Sequence, residues 1–230
     1  MKQLALNFAS QALPTLDNFI VGRNGELLAN LGRLVAGEAR ERFLYFWGRP
    51  GSGCSHLLKG AVTGLQRAGA AAAYIGCSAD TRLAEGLDRM DCVALDNVDR
   101  LDEDGQVAAF DLYNGLRERS GALVAGASAP PVQLKLREDL VTRLAWGLVY
   151  QVHALTDEDK ARALSDHAAS RGLPLPREVC DYLLTRARRD MPSLLATLDA
   201  IDRYSLETRR PVTVPLVREL LEARDSGVRG

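Results

Sequence analysis

The sequence predicts an α/β unit built on a buried parallel sheet, followed by a small all-α unit. Three observations predict it. Short, nearly continuous apolar runs alternate with helix-patterned segments as far as residue 152, as expected of strands covered on both faces by crossover helices. A glycine-rich turn at 48–53 separates the first apolar run from a helix. After about residue 154 the strand signals stop, while helix start and stop signals continue.

Residues 1–15 carry no helical period and hold Pro14, so they read as a tail. Leu27, Leu28, Leu31, Leu34 and Val35 recur at helical spacing over 24–36. The apolar run 43–47 is the first strand, with a helix over 55–68 behind it. A strand over 70–76 takes in the alanines at 70–73, and a short helix follows around 80–88. Next come a strand at 91–96, a helix over 105–119 and a strand over 121–127, with a last strand at 147–152. In the second unit Thr156 is the expected N-cap of a helix with an acidic first turn, and Gly172 its terminator. Pro176 opens another helix, residues 191–208 form a third, and Val214–Ala223 a fourth. The expected boundaries are a tail over 1–13, the α/β unit over 14–154 and the helical unit over 155–230.

Composition narrows the class. Of 230 residues, 47% are hydrophobic and 26% charged, ordinary for a globular protein. No apolar run approaches the ~20 residues that cross a bilayer. The N-terminus has one lysine and no apolar h-region, so neither a membrane span nor a signal peptide is expected and the expected location is cytoplasmic. Net charge is −1, and residues 155–230 hold 13 Lys/Arg against 13 Asp/Glu. That balance gives no electrostatic footprint for nucleic acid, so direct sequence-specific DNA binding is not expected. The four cysteines form no C-x-x-C pair and read as small buried or loop residues. His56, His153 and His167 lack metal-ligand spacing, and no metal site made of protein ligands alone is expected.

The chemistry concentrates at "GRPGSGCS", Gly48 to Ser55, which fits the phosphate loop G-x-x-x-x-G-K-[ST] except at the lysine, here Cys54. Gly48, Gly51 and Gly53 let the backbone of the turn, Ser52 included, face a phosphate. The helix that opens with Cys54, Ser55 and His56 adds its positive end. A glycine-rich turn after a strand can also be purely structural; the strand before and helix after favour the phosphate reading. Ser55 is placed to reach Mg²⁺, and Asp96, at the tip of the apolar run 92–95, is the matching carboxylate. An acidic strand-end turn is the plainer alternative for Asp96. The next residue is Asn97, whose amide cannot take a proton. Asp99 is expected to point elsewhere. Losing the lysine weakens stabilisation where charge develops in the transition state, whereas holding a diphosphate needs it less. The residues describe a site that holds ADP or a related nucleotide rather than one that turns it over. A thiol at a helix N-terminus is also open to a lowered pKa.

Six stretches, in order, resemble the AAA+ region of the DnaA family: "PTLDNFIVGRNGEL" (14–27), the loop at 48–56, "LDNVD" (95–99), "FDLYNGLRE" (110–118), "LVTRLAWGL" (140–148) and "RRDMPSLLATLD" (188–199). The chain is most similar to the short regulatory-inactivator (Hda) branch. The resemblance implies an AAA+ P-loop fold with a helical lid. It also implies that "DNFIVG" (17–22) lines an adenine pocket with the backbone of Ile20 and Val21. Arg143 falls on the arginine finger, which acts on nucleotide held by a neighbouring subunit, and Arg189 on the sensor-2 arginine of the lid. A guanidinium suits both tasks, being always charged and shaped to grip two oxygens; a surface salt bridge is the alternative for each. Ser128 stands where the family carries Asp or Asn, and its role as sensor 1 stays open. The initiator's N-terminal helicase-contact domain and C-terminal helix-turn-helix are expected to be missing.

"KQLALNF" (2–8), with Gln3, Leu4, Leu6 and Phe8, resembles the Q-L-x-L-x-[LF] peptide that docks on the bacterial sliding clamp, the β subunit of DNA polymerase III. A terminal strand on the protein's own sheet is the alternative. The function implied is negative regulation of chromosomal replication initiation by a non-enzyme. Nucleotide-bound and docked on the DNA-loaded clamp, hence near the nucleoid and replisome, it would stimulate ATP hydrolysis by DnaA. A homodimer is left open. Two rivals remain: a self-sufficient AAA+ ATPase or loading factor, opposed by Cys54 and Asn97, and a clamp-tethered adaptor with a dead nucleotide site, kept open by Cys54.

Overall fold

The computed structural model describes residues 13–187 and 190–227. The chain forms two compact units that meet in sequence at Ala154 and Leu155. In the first, five parallel strands make one sheet: β1 (Phe43–Trp47), β2 (Ala72–Gly76), β3 (Cys92–Asp96), β4 (Ala122–Ala127) and β5 (Leu148–Gln151), in the order β2-β3-β4-β1-β5. The helices of this unit are α1 (Gly25–Val35), α2 (Cys54–Arg67), α3 (Glu103–Glu118) and α4 (Glu138–Trp146).

The apolar runs are continuous because alternate strand residues feed two cores. Leu44, Phe46 and Ala94 pack with Leu27 and Leu31 of α1 and Leu57 and Leu58 of α2. Tyr45, Val93 and Leu95 face the other way, onto Leu112 and Tyr113 of α3 and Leu140 and Leu144 of α4. After β1 the chain crosses to the far edge at β2, and after β4 it crosses over β1 to the opposite edge at β5. Adjacent strands β1 and β4 therefore send their connections in opposite directions. The crevice at their carboxyl ends is where open α/β sheets take ligands.

The expected helix around 80–88 does not form. The Ser78 N–H donates to Thr81 Oγ1 (2.8 Å) and Gly86 is left-handed, leaving a single 3₁₀ turn at Leu87–Arg89. Local side-chain bonds have outcompeted the helix there. The strand expected from residue 70 starts at Ala72, because the Ala70 N–H is spent on the Leu65 carbonyl (3.0 Å) at the end of α2. Helix α4 was not expected from the sequence. Its buried residues are only Leu140 and Leu144, too few for a periodic stripe.

The second unit is all helix: α5 (Asp157–Ser170), α6 (Arg177–Arg186), α7 (Met191–Thr208) and α8 (Val214–Gly227). Thr156 caps α5 as expected. Its Oγ1 accepts from the Asp159 N–H (3.1 Å), and Asp159 Oδ2 accepts from the Thr156 N–H (3.0 Å). Gly172 turns the chain with φ 69°. Leu164, Val179, Leu183, Leu194, Ile201 and Leu216 form the core. Among the described residues no helix is long and apolar enough to cross a membrane.

Candidate functional site

The phosphate loop leaves the carboxyl end of β1. The Gly48 N–H donates to the Ala127 carbonyl of β4 (3.3 Å), and a Cβ on Gly48 would stand 2.4 Å from Ser52 Oγ and 2.8 Å from the Val152 carbonyl. Only glycine lets the loop double back so tightly. Ser52, nearly buried, donates its N–H to Arg49 O (3.0 Å). Gly53 starts α2 at φ 107°, and Phe19 lies where its Cβ would be, 2.7 Å from that position.

The 17–22 segment thus sits on the shoulder of the loop. The rings of Phe19 and His56 are 5.6 Å apart, and His56 Nε2 lies 3.0 Å from the Thr15 carbonyl. Ile20 is half-buried and Val21 exposed. Asn24 holds the segment from below: its Nδ2 donates to His153 O (2.9 Å) and its Oδ1 accepts from the His153 N–H (2.8 Å).

Cys54 opens α2 with its Sγ 3.4 Å from Ser52 Oγ. Burial pushes the thiol pKa up, the Ser52 hydrogen bond opposes that, and the Asp96 charge adds to it. The lowered pKa that a helix N-terminus offers is not realised, because desolvation outweighs it. At neutral pH the thiol is uncharged and gives the cradle neither a cation nor a nucleophile.

Asp96 ends β3 and is almost fully buried. Its Oδ2 accepts from the Tyr74 hydroxyl (2.7 Å). Burial, then Asp96, drives the Tyr74 pKa far up, so the phenol remains a donor. Asn97 adopts φ 58° and turns the chain into a 3₁₀ turn, Val98–Arg100. That turn brings Asp99 back to the end of β4, where its Oδ2 accepts from Ser128 Oγ (2.6 Å). Asp99 is thus bonded to Ser128, just beyond β4. Its Oδ1 is buried with no hydrogen-bond partner among the described residues. The one sequence signal for this pair is Asn97, a residue type that tolerates the left-handed turn.

The fit of a divalent ion can be judged from these bonds. Mg²⁺ wants oxygen ligands in near-ideal octahedral geometry. Of the two groups expected to serve it, Asp96 accepts from the Tyr74 hydroxyl through Oδ2, and Ser55 is exposed at the start of α2. Among the described residues no third His, Cys, Asp or Glu completes a metal cluster. Ser55 and Asp96 are the side chains that would hold such an ion, with phosphate and water completing its shell.

Arg143 lies elsewhere. Helix α4 delivers its last turn to the start of β5, at the amino ends of the strands, whereas the cradle is at the carboxyl ends. The guanidinium carbon is 4.0 Å from the centroid of the Trp146 ring, 5.5 Å from Phe110 and 6.0 Å from Tyr113. Its Nε is buried without an acceptor among the described residues. Trp146 also receives Arg117 at 5.2 Å and remains 53% exposed. Arg189 and the tail residues Gln3, Leu4, Leu6 and Phe8 lie outside the described residues.

Residues 157–221 match the lid domain of the Hda family. The whole chain is similar to AMPPCP-bound DnaA from Aquifex aeolicus, at 22% identity over 92% of this chain and 70% of that one, TM-score 0.71. The chain has the AAA+ fold that DnaA structures share, with an all-helical unit that matches the Hda lid model. Domain III of the Thermotoga maritima DnaA shares this AAA+ fold at 20% identity, covering 91% of this chain and 95% of that one, TM-score 0.70. A DNA replication initiation factor matches at 20% identity and TM-score 0.66, over 84% of this chain and 65% of its own length. The stretch similar to the Hda lid thus runs from α5 into α8, and the α/β unit carries the phosphate loop and Arg143 at opposite ends of one sheet.

Proposed function

We propose that this protein holds ADP or a related nucleotide without turning it over, and acts in trans on ATP-bound DnaA. Arg143 stimulates hydrolysis in the partner's site and leaves the initiator in its inactive ADP form. The observation that carries this reading is the placement of Arg143. Its guanidinium sits on an aromatic shelf at the end of the sheet remote from the chain's own cradle. A fixed cation that cannot serve its own site is suited to spread transition-state charge in another subunit's site.

Within the cradle, the uncharged Cys54 thiol and the Asn97 amide supply neither the lysine charge nor a base for water. The glycine turn and the N-terminus of α2 still offer a phosphate its donors, and Arg189 of the lid adds a guanidinium from the other unit's sequence. A DnaA relative bound to AMPPCP supports a nucleotide as the ligand class. The Gln3-Leu4-x-Leu6-x-Phe8 peptide tethers the protein to the sliding clamp on DNA, which raises its effective concentration near the initiator.

The test is hydrolysis of ATP preloaded on DnaA, followed with this protein and clamp-loaded DNA. Arg143→Ala is expected to keep clamp binding and lose stimulation; retained stimulation would remove Arg143 from the mechanism. Gln3→Ala with Phe8→Ala is expected to lose clamp binding with folding intact. A turnover of about 1 s⁻¹ by the isolated protein, within the ordinary enzyme range, would favour a self-sufficient ATPase instead.

A further inference from the structure

At the amino ends of the strands, away from the phosphate loop, a cavity of about 420 Å³ opens among the segment leading into β1, the end of α3 and the end of α4. That volume lies in the range of small-ligand sites. Phe43 and Tyr113, whose ring centroids are 4.5 Å apart, and the exposed Trp146 supply its apolar lining. Arg40, Arg42 and Arg117 supply its charge, against the single carboxylate of Glu41. The Arg117 guanidinium carbon is 5.2 Å from the centroid of the Trp146 ring and that of Arg143 is 4.0 Å away, so the proposed finger borders the same ring.

Two features leave these cations to a ligand. None of Arg40, Arg42, Arg117 and Arg143 is in an ion pair among the described residues, whereas Arg119, two positions beyond Arg117, is held by Asp88 at 3.0 Å. The negative groups around the cavity are already satisfied. Glu41 Oε1 accepts from the N–H groups of Arg42 and Phe43, both at 2.9 Å. At the end of α3, Leu116 O accepts from the Gly121 N–H (2.8 Å) and Arg117 O from the Ser120 N–H (3.3 Å). Ser120 O accepts from Arg42 Nη1, which leaves the rest of that guanidinium's donors unspent. A basic cavity whose own acceptors are spent calls for an anion. A carboxylate is planar and offers its two oxygens to one fork. A phosphate chain carries oxygens on successive tetrahedral centres, which suits guanidiniums arriving from two separate segments.

We propose that this cavity is a second anion site, which takes the phosphate chain of a di- or triphosphate on Arg40, Arg42 and Arg117 beside Arg143. The chain comes free from solution or from nucleotide seated in a partner, since both present the same oxygens. The second source rests on the reading of Arg143 as a finger; the site itself does not.

The chain has two tryptophans, Trp47 beside the phosphate loop and Trp146 on the cavity, so fluorescence can separate the two ends of the sheet. In Trp47→Phe the remaining signal reports the cavity alone. Titration with tripolyphosphate is expected to change it saturably, with half-saturation at about 0.1 mM or below. Arg40→Gln and Arg117→Gln should each weaken that binding roughly tenfold, the scale of one charge-assisted hydrogen bond. Citrate, an anion of carboxylates only, should bind about tenfold more weakly still than tripolyphosphate does. No response at about 10 mM, a response untouched by both arginine substitutions, or equal binding of citrate overturns the proposal. If Trp47→Phe fails to fold, calorimetry of tripolyphosphate with the wild type and Arg117→Gln reads the same difference. Single-turnover hydrolysis of DnaA-bound ATP, at constant free Mg²⁺, then separates the sources. Stimulation suppressed by tripolyphosphate assigns the site to the partner's nucleotide; stimulation unchanged with the cavity filled assigns it to a free phosphate chain. Absence of any stimulation removes the finger reading and leaves the fluorescence result to decide this one.

Discussion

Trp146→Ala is the substitution that most directly probes how the proposed finger is held. The Arg143 guanidinium is 4.0 Å from the Trp146 ring but 5.5 and 6.0 Å from Phe110 and Tyr113, so Trp146 is its main support. Its Nε is buried and has no acceptor among the described residues. Losing a part-exposed cation–π contact costs about 1 kcal/mol, and the freed arginine rotamers must then be ordered again at about 0.5–1.5 kcal/mol. The sum, about 1.5–2.5 kcal/mol, corresponds to roughly a 10- to 70-fold fall in stimulated hydrolysis.

Fold stability should suffer separately. Trp146 is 53% exposed, so of a side chain burying roughly 200 Å² at most, about half is at stake, or up to ~2.5 kcal/mol. At about 2–4 °C per kcal/mol for a chain of this size, the melting temperature should drop by up to ~10 °C. The assay is single-turnover hydrolysis of DnaA-bound ATP below that temperature, with Trp146→Phe as the control that keeps a ring. Stimulation within about twofold of wild type for Trp146→Ala, with Arg143→Ala inactive, would refute the supporting role.

Three further outcomes are expected. Burial, aided by neighbouring aspartates, raises the Cys77 and Cys92 thiols from 9.0 to about 12. A group whose folded pKa is raised keeps its full contribution below the unfolded value and loses it as pH climbs through the folded one. Urea midpoints should therefore fall between about pH 9 and 12, and a midpoint that rises there would contradict the burial. Cys54, also raised, should react slowly with iodoacetamide at pH 7.5 and faster above pH 9, as peptide mapping would report. Gly48→Ala forces a methyl to 2.8 Å from the Val152 backbone oxygen. Overpacking of that kind costs about 1–3 kcal/mol, so both the melting temperature and ADP binding should decline.

Elements buried on both faces were the legible ones. The inner strands β1, β3 and β4 each serve two cores, so their apolar runs are unbroken and easily found. Helix α4 hid because two leucines, Leu140 and Leu144, do all its deep packing within nine residues. The glycine loop was legible because its conformation is a property of the loop itself: Gly53 at φ 107° and the crowded Gly48 leave no other residue type. Tyr74 was not, because its importance comes from the register of β2 on β3, which a single strand does not reveal. The Asp99–Ser128 bond was hidden for a similar reason. It depends on a left-handed residue between two strand ends that are 29 positions apart in sequence.

Those hidden bonds bear on why a degenerate loop would be kept. An ATPase leaves its catalytic polar groups free to meet substrate, metal and water. Here the Tyr74 hydroxyl donates to Asp96, Ser128 donates to Asp99, and the Tyr45 hydroxyl donates to the Ala129 carbonyl just after β4. The carboxyl edge of the sheet is thus cross-linked by its own side chains, in β1, β2, β3 and the segments after β3 and β4. Such an edge needs no turnover to hold its shape, and a bound nucleotide would stiffen it further by mass action. What the proposed role asks of the unit is a steady frame on which α4 presents Arg143. A hydrolysing site would work against that, since the ligand supporting the frame would be altered at every cycle.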